Sequence, residues 1–66
     1  MLVLVNGVER DLPETATVGL VLDELGAPRT GVAVALDGEV VPRARWERTP
    51  LAAGCAVEVL TAVQGG

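Results

Sequence analysis

Val18, Val21, Leu22 and Leu25 fall at i, i+3, i+4 and i+7. They define one face of a helix about two turns long. Thr17 stands at the position of an N-cap and Gly26 closes the segment. Gly19 weakens it by roughly 1 kcal/mol relative to alanine, so this helix forms by docking on something else. The rest of the chain has to supply that surface as strands.

The strands are marked by their turns. Leu2 to Val5 is an apolar run that stops at Asn6-Gly7, and Val8 to Leu12 returns from it. Asn-Gly is the strongest two-residue hairpin signal, because both positions tolerate positive φ. Pro13 ends the second strand, and Glu14 to Thr17 lead into the helix. After Ala27 to Gly31, the stretch Val32 to Leu36 alternates large and small apolar residues. Asp37-Gly38 is a second tight turn, and Glu39 to Val41 give a short strand that Pro42 must end or leave at an edge. Arg43 to Pro50 is polar apart from Trp46, Leu51 to Gly54 make a turn, and Ala56 to Leu60 begin a last strand that ends near Ala62. A hairpin, one crossing helix and further strands, the last able to pair beside the first, predict an α+β fold of the β-grasp type. Its mixed sheet of four to five strands has one helix packed across one face. Residues 1–62 are assigned to this domain and 63–66 to a mobile C-terminal tail.

Period-two alternation sorts the last strands into two faces. Val32, Val34, Leu36, Val57 and Val59 turn toward the helix. Glu58, Leu60, Ala33 and Ala35 turn away from it, leaving Leu60 exposed among small residues on the strand that carries the tail. These four form a candidate partner-binding patch. The tail itself is Val63, Gln64, Gly65 and Gly66. Two glycines contribute nothing to packing and cost entropy when ordered. What they offer is thinness, a terminal carboxylate that a narrow channel in another protein can admit. Extended, the four residues reach about 13 Å.

Composition removes several alternatives. A lone cysteine, Cys55, excludes an internal disulfide, and a chain without histidine offers no recognisable zinc site. Stability must come from packing, and half of the residues are hydrophobic. Nine acidic against five basic residues give a net charge of −4, a poor match to nucleic acid. Met1 leads directly into Leu2 to Val5 with no basic leader or long apolar stretch, which points to the cytoplasm and away from membranes. All five basic residues are arginine, so the chain has no lysine amine of its own to attack an activated carboxylate. Cys55 is read as a turn or packing residue, since no histidine or lysine is there to activate it. Trp46 is read as a lid over one end of the core, and Arg43 and Arg45 as parts of a solvated face.

Three segments carry a resemblance. They are Asn6-Gly7 after the opening strand, VAVALDGEVVPRARW from Val32 to Trp46, and Gly54 followed, after Cys55-Ala56, by VEVLTAVQGG. With these the chain resembles the ThiS family of ubiquitin-like β-grasp sulfur carriers of thiamine (thiazole) biosynthesis over nearly its whole length. The resemblance implies a protein cosubstrate in place of an enzyme. An E1-like adenylyltransferase would activate Gly66 with ATP, which belongs to that partner, and no cofactor would be bound by the carrier. A sulfur donor such as a cysteine desulfurase would supply the sulfur of a thiocarboxylate, and thiazole synthase would receive it. Departures are the lack of Phe and Tyr, with Leu60 where many relatives place an aromatic, and Cys55 where relatives often have an acid. The small subunit of molybdopterin synthase, other sulfur-transfer pathways, a modifier conjugated to lysines and a passive interaction domain are the alternatives.

Overall fold

The computed structural model describes residues 1–61. Asn6 and Gly7 hold φ of 51° and 81°, the left-handed pair that a two-residue turn between twisted antiparallel strands demands. They join β1 (Leu2–Val5) to β2 (Val8–Asp11), with Val5 opposite Val8 and Val3 opposite Arg10. β2 stops one residue short of the expected Leu12. That residue is buried, and its N–H donates to the Met1 carbonyl at 2.8 Å.

The helix α1 (Val18–Leu25) has the predicted caps. Thr17 Oγ1 accepts from the Leu20 N–H at 3.3 Å, and Gly26 ends the helix at φ 66°. Val18, Val21 and Leu22 are fully buried and Leu25 is half-buried. Gly19 is more than a weak point. The space a Cβ would take there is filled by the Glu47 carboxylate. Arg29 pairs with Glu47, donates to Asp23 Oδ1 at 2.8 Å and reaches the Gly19 carbonyl at 3.3 Å. The missing side chain thus lets a neighbouring element press against the helix, a packing reason that outweighs propensity.

β3 (Val32–Leu36) turns through Asp37 and Gly38, at φ 48° and 86°, into β4 (Glu39–Val40). β4 ends one residue before the expected Val41, which still faces Val34 across the hairpin. Val41 is buried, and its N–H donates to the Val34 carbonyl at 2.8 Å. Residues read from sequence as merely polar then form a 3₁₀ helix, Arg43–Arg48. Trp46 drives it: the ring is buried, and Nε1 donates to the Val41 carbonyl at 2.9 Å, the partner a buried indole needs. Trp46 is therefore the lid expected of it.

β5 (Ala56–Thr61) completes a five-stranded mixed sheet in the order β2-β1-β5-β3-β4. It runs parallel to β1 and antiparallel to β3. Val3, Val5, Val34, Val57 and Val59 face Val18, Val21 and Leu22 across the core, and no polar side chain is buried among the described residues. Two turn residues reach into β5 from either side. Asn6 Oδ1 accepts from the Val59 N–H at 2.8 Å and its Nδ2 donates to the Val59 carbonyl at 3.3 Å. Asp37 Oδ1 accepts from the Ala56 N–H at 2.9 Å, and the Asp37 N–H donates to the Ala56 carbonyl at 2.8 Å.

Replacing Asn6→Gly keeps the turn geometry and removes both side-chain bonds to Val59. Urea denaturation is expected to show a loss of about 1–2 kcal/mol. The Met1 ammonium donates to Asp11 Oδ1 at 3.1 Å and to the Leu12 carbonyl at 2.7 Å, and Glu14 Oε2 lies at 3.3 Å. The hydrogen bond to Asp11, with Glu14 adding to it, raises the amine's pKa above 8.0. A raised folded-state pKa gives stability that is complete below the unfolded value and fades as pH climbs through the folded one. The melting temperature of the free-amine chain is accordingly expected to exceed that of its N-acetylated form at pH 7, and the gap to close above pH 8.

Candidate functional site

The sheet has one face without a helix, and alternation along β3 and β5 decides what it shows. Ala33 stands opposite Leu60 and Ala35 opposite Glu58. All four residues of the predicted patch therefore come together as two adjacent cross-strand pairs. Glu58 and Ala33 are exposed, Ala35 is half-buried, and Leu60 is 63 % exposed. The Ala33–Leu60 pair adjoins Val32–Thr61, the last pair of the β3–β5 ladder. The patch thus lies at the root of the tail.

The face is wider than the sequence reading had it. Leu4 is paired with Ala56 and Val40 with Ala35, which puts Leu2, Leu4 and Val40 on the same side. Among the described residues, five large hydrophobics are exposed, and four of them, Leu2, Leu4, Val40 and Leu60, share this face. Scattered apolar residues need no explanation, whereas a gathered set marks a contact surface. The signal was available: the period-two rule applied to β3 and β5 also sends Leu2 and Leu4 away from the buried Val3 and Val5. Glu9 lies opposite Leu4 and Asp11 opposite Leu2, so the far edge of the face is acidic.

Val63, Gln64, Gly65 and Gly66 lie outside the described residues. Cys55 is buried at the beginning of β5, with its N–H bonded to the Ala52 carbonyl at 3.1 Å. The six residues of β5 separate it from the tail root by roughly 20 Å, which supports a packing role. No helix among the described residues is long and apolar enough to cross a membrane. What the face offers is exposed aliphatic area bordered by carboxylates.

The model of the ThiS family matches residues 3–66. This chain belongs to the ThiS family. The crystal structure of thiamine biosynthesis protein ThiS from Geobacter metallireducens is similar over 100 % of both chains, with 33 % identity and a TM-score of 0.82. An NMR solution structure of a thiamine biosynthesis protein from the same organism gives 36 % identity and a TM-score of 0.81, over 100 % of this chain and 88 % of that one. No curated protein matches the chain. The fold is the ubiquitin-like β-grasp of the ThiS structures.

Neighbouring residues of β5 give a direct test of the two faces. Leu60→Ser is expected to leave the denaturation midpoint within about 0.5 kcal/mol of the parent, because the side chain is already in water. Val59→Ala, one residue earlier and buried under the helix, is expected to cost about 2 kcal/mol.

Proposed function

We propose that this protein is a sulfur carrier for thiazole formation in thiamine biosynthesis, with the carboxylate of Gly66 as its working group. The observation that carries the proposal is the full-length likeness to a thiamine biosynthesis ThiS protein, whose chain is covered completely by an alignment that includes Gly65 and Gly66. Family membership and an apolar sheet face beside the tail root support it. On this reading the protein is a cosubstrate, and its partners do the chemistry.

A carboxylate is a poor electrophile because its charge is shared over two oxygens and repels nucleophiles. Attack of the Gly66 carboxylate on the α-phosphorus of ATP joins it to AMP and expels pyrophosphate, so the acyl carbon gains a good leaving group. The terminal sulfur of a donor persulfide then attacks the acyl carbon, forming a C–S bond as the C–O bond to AMP breaks and leaving an acyl disulfide. A thiol reductant cleaves its S–S bond, releasing the thiocarboxylate as that thiol joins the donor sulfur in a disulfide. An E1-like adenylyltransferase is the class of partner for the first step, a donor such as a cysteine desulfurase supplies the sulfur, and thiazole synthase consumes the thiocarboxylate. Val63, Gln64 and Gly65 thread the partner's channel, while Glu58, Leu60, Ala33 and Ala35, extended by Leu2, Leu4 and Val40, give it a surface to hold. Carriage on a protein keeps reactive sulfur from being released and lets surface contacts select the recipient.

Incubation with the cognate adenylyltransferase, ATP and the sulfur donor is expected to raise the intact mass by the difference between sulfur and oxygen. Deleting Gly66 or placing Gly65→Val is expected to abolish that shift and thiamine-independent growth, with an unchanged melting temperature. Ladders of lysine conjugates in place of the mass shift would refute the carrier reading.

A further inference from the structure

Where β5 finishes, the loop before β3 and the entry to the 3₁₀ helix border a shallow groove lined by Arg29, Val32, Ala33, Arg43, Leu60 and Thr61. Val32, Ala33 and Leu60 contribute apolar area to it, and its two guanidinium groups are in different electrostatic states. Arg29 is satisfied within the fold by Asp23, Glu47 and the Gly19 carbonyl. Arg43 has no carboxylate within 4.0 Å among the described residues.

The backbone under Arg43 is fixed on both sides. Before it, the buried Val41 donates its N–H to the Val34 carbonyl and accepts from the Trp46 indole. After it, the Arg45 N–H closes the 3₁₀ turn onto the Pro42 carbonyl at 2.8 Å. Arg43 is thus a cation with no ion-pair partner among the described residues, on a rigid mount beside the tail root, in a chain whose net charge is −4. At the opposite edge of the helix-free face β2 carries Glu9 and Asp11, the latter paired with the Met1 ammonium, and Glu58 lies between.

We propose that Arg43 receives a carboxylate side chain of the activating partner, on a segment whose adjoining apolar residue packs over Ala33 and Leu60. The proposal rests on the sulfur-carrier reading and deepens it by naming the chemistry of the partner at the mouth of its channel. Charge complementarity then sets the orientation of docking. A partner that is acidic at the channel mouth and basic at the far side matches this surface one way round. Turned end for end, it brings acid to Glu9 and Asp11 and a base to Arg43. Like-charge juxtaposition of that kind suppresses wrong encounters and steers right ones, even where an exposed pair adds little affinity.

The test is steady-state activation of the folded chain by the cognate adenylyltransferase, read as ATP–pyrophosphate exchange against carrier concentration. Arg43→Glu is expected to raise KM about tenfold with kcat unchanged and to flatten the dependence on ionic strength. Arg43→Lys is expected to restore most of the affinity, and Arg45→Glu to stay close to the parent. Equal melting temperatures would show that all three variants fold. An unchanged KM in Arg43→Glu, or a fall in kcat alone, would overturn the assignment of Arg43 and leave the carrier reading standing. Inorganic phosphate that competes beyond the effect of chloride at equal ionic strength, in the parent and not in Arg43→Glu, would also overturn it by showing a site for free anions. Failure of the parent chain to be activated at all would overturn the carrier reading and this inference together.

Discussion

The register of β5 is the constraint on which the rest of the molecule depends. Shifted by one residue, that strand would put Glu58 and Leu60 under the helix and expose Val57 and Val59, burying a carboxylate with no partner. Backbone ladders to β1 and β3 resist such a slip, and so do the two side chains that straddle the strand. Asp37 takes both backbone groups of Ala56 at one end, and Asn6 takes both backbone groups of Val59 toward the other. The amide of Asn6 thereby continues the parallel pairing one step past the point where β1 turns away. A tail that hangs from this strand is attached to the centre of the sheet and not to an edge, so a partner that grips it acts on the most firmly held element of the fold.

Much of this was legible in the sequence. The helix, its caps, both tight turns and the two-sided character of β3 and β5 followed from periodicity and from residues that tolerate positive φ. Asn6 and Asp37 were legible as turn residues only, because their second role depends on β5 arriving beside them from about 50 and 20 residues away along the chain. The 3₁₀ helix was hidden for a related reason. Arg43 to Arg48 has no apolar period, and it is held by one buried ring whose hydrogen-bond acceptor, the Val41 carbonyl, is placed only when β4 pairs with β3. Gly19 carried a local cost that could be read and a benefit, room for Glu47, that could not.

A chain of this size has little core to spend, and Trp46 is its single aromatic residue. That makes the composition of the helix-free face informative. Leu2, Leu4, Val40 and Leu60 would each add to a core, and instead they are 37 % to 75 % exposed on one surface. Apolar side chains set on both sides of Ala33 and Ala35 make a low, broad contact area without deep anchors. Such a surface suits binding that must be undone, since affinity comes mainly from well-packed central anchors and not from area.

On the proposed reading, this protein meets one partner that charges it and another that discharges it, and the two encounters use the same tail. An aliphatic face is a poor discriminator between them, because it accepts any complementary apolar surface. Charge placed around that face discriminates better, since a mismatch is penalised at long range and before contact. Here the acidic residues collect toward the β2 edge, while Arg43 stands at the tail root on a backbone held by Trp46 and Val34. The lid that closes the small core therefore also fixes the position of a surface cation. Core packing and the placement of this cation are coupled through the same six-residue 3₁₀ helix.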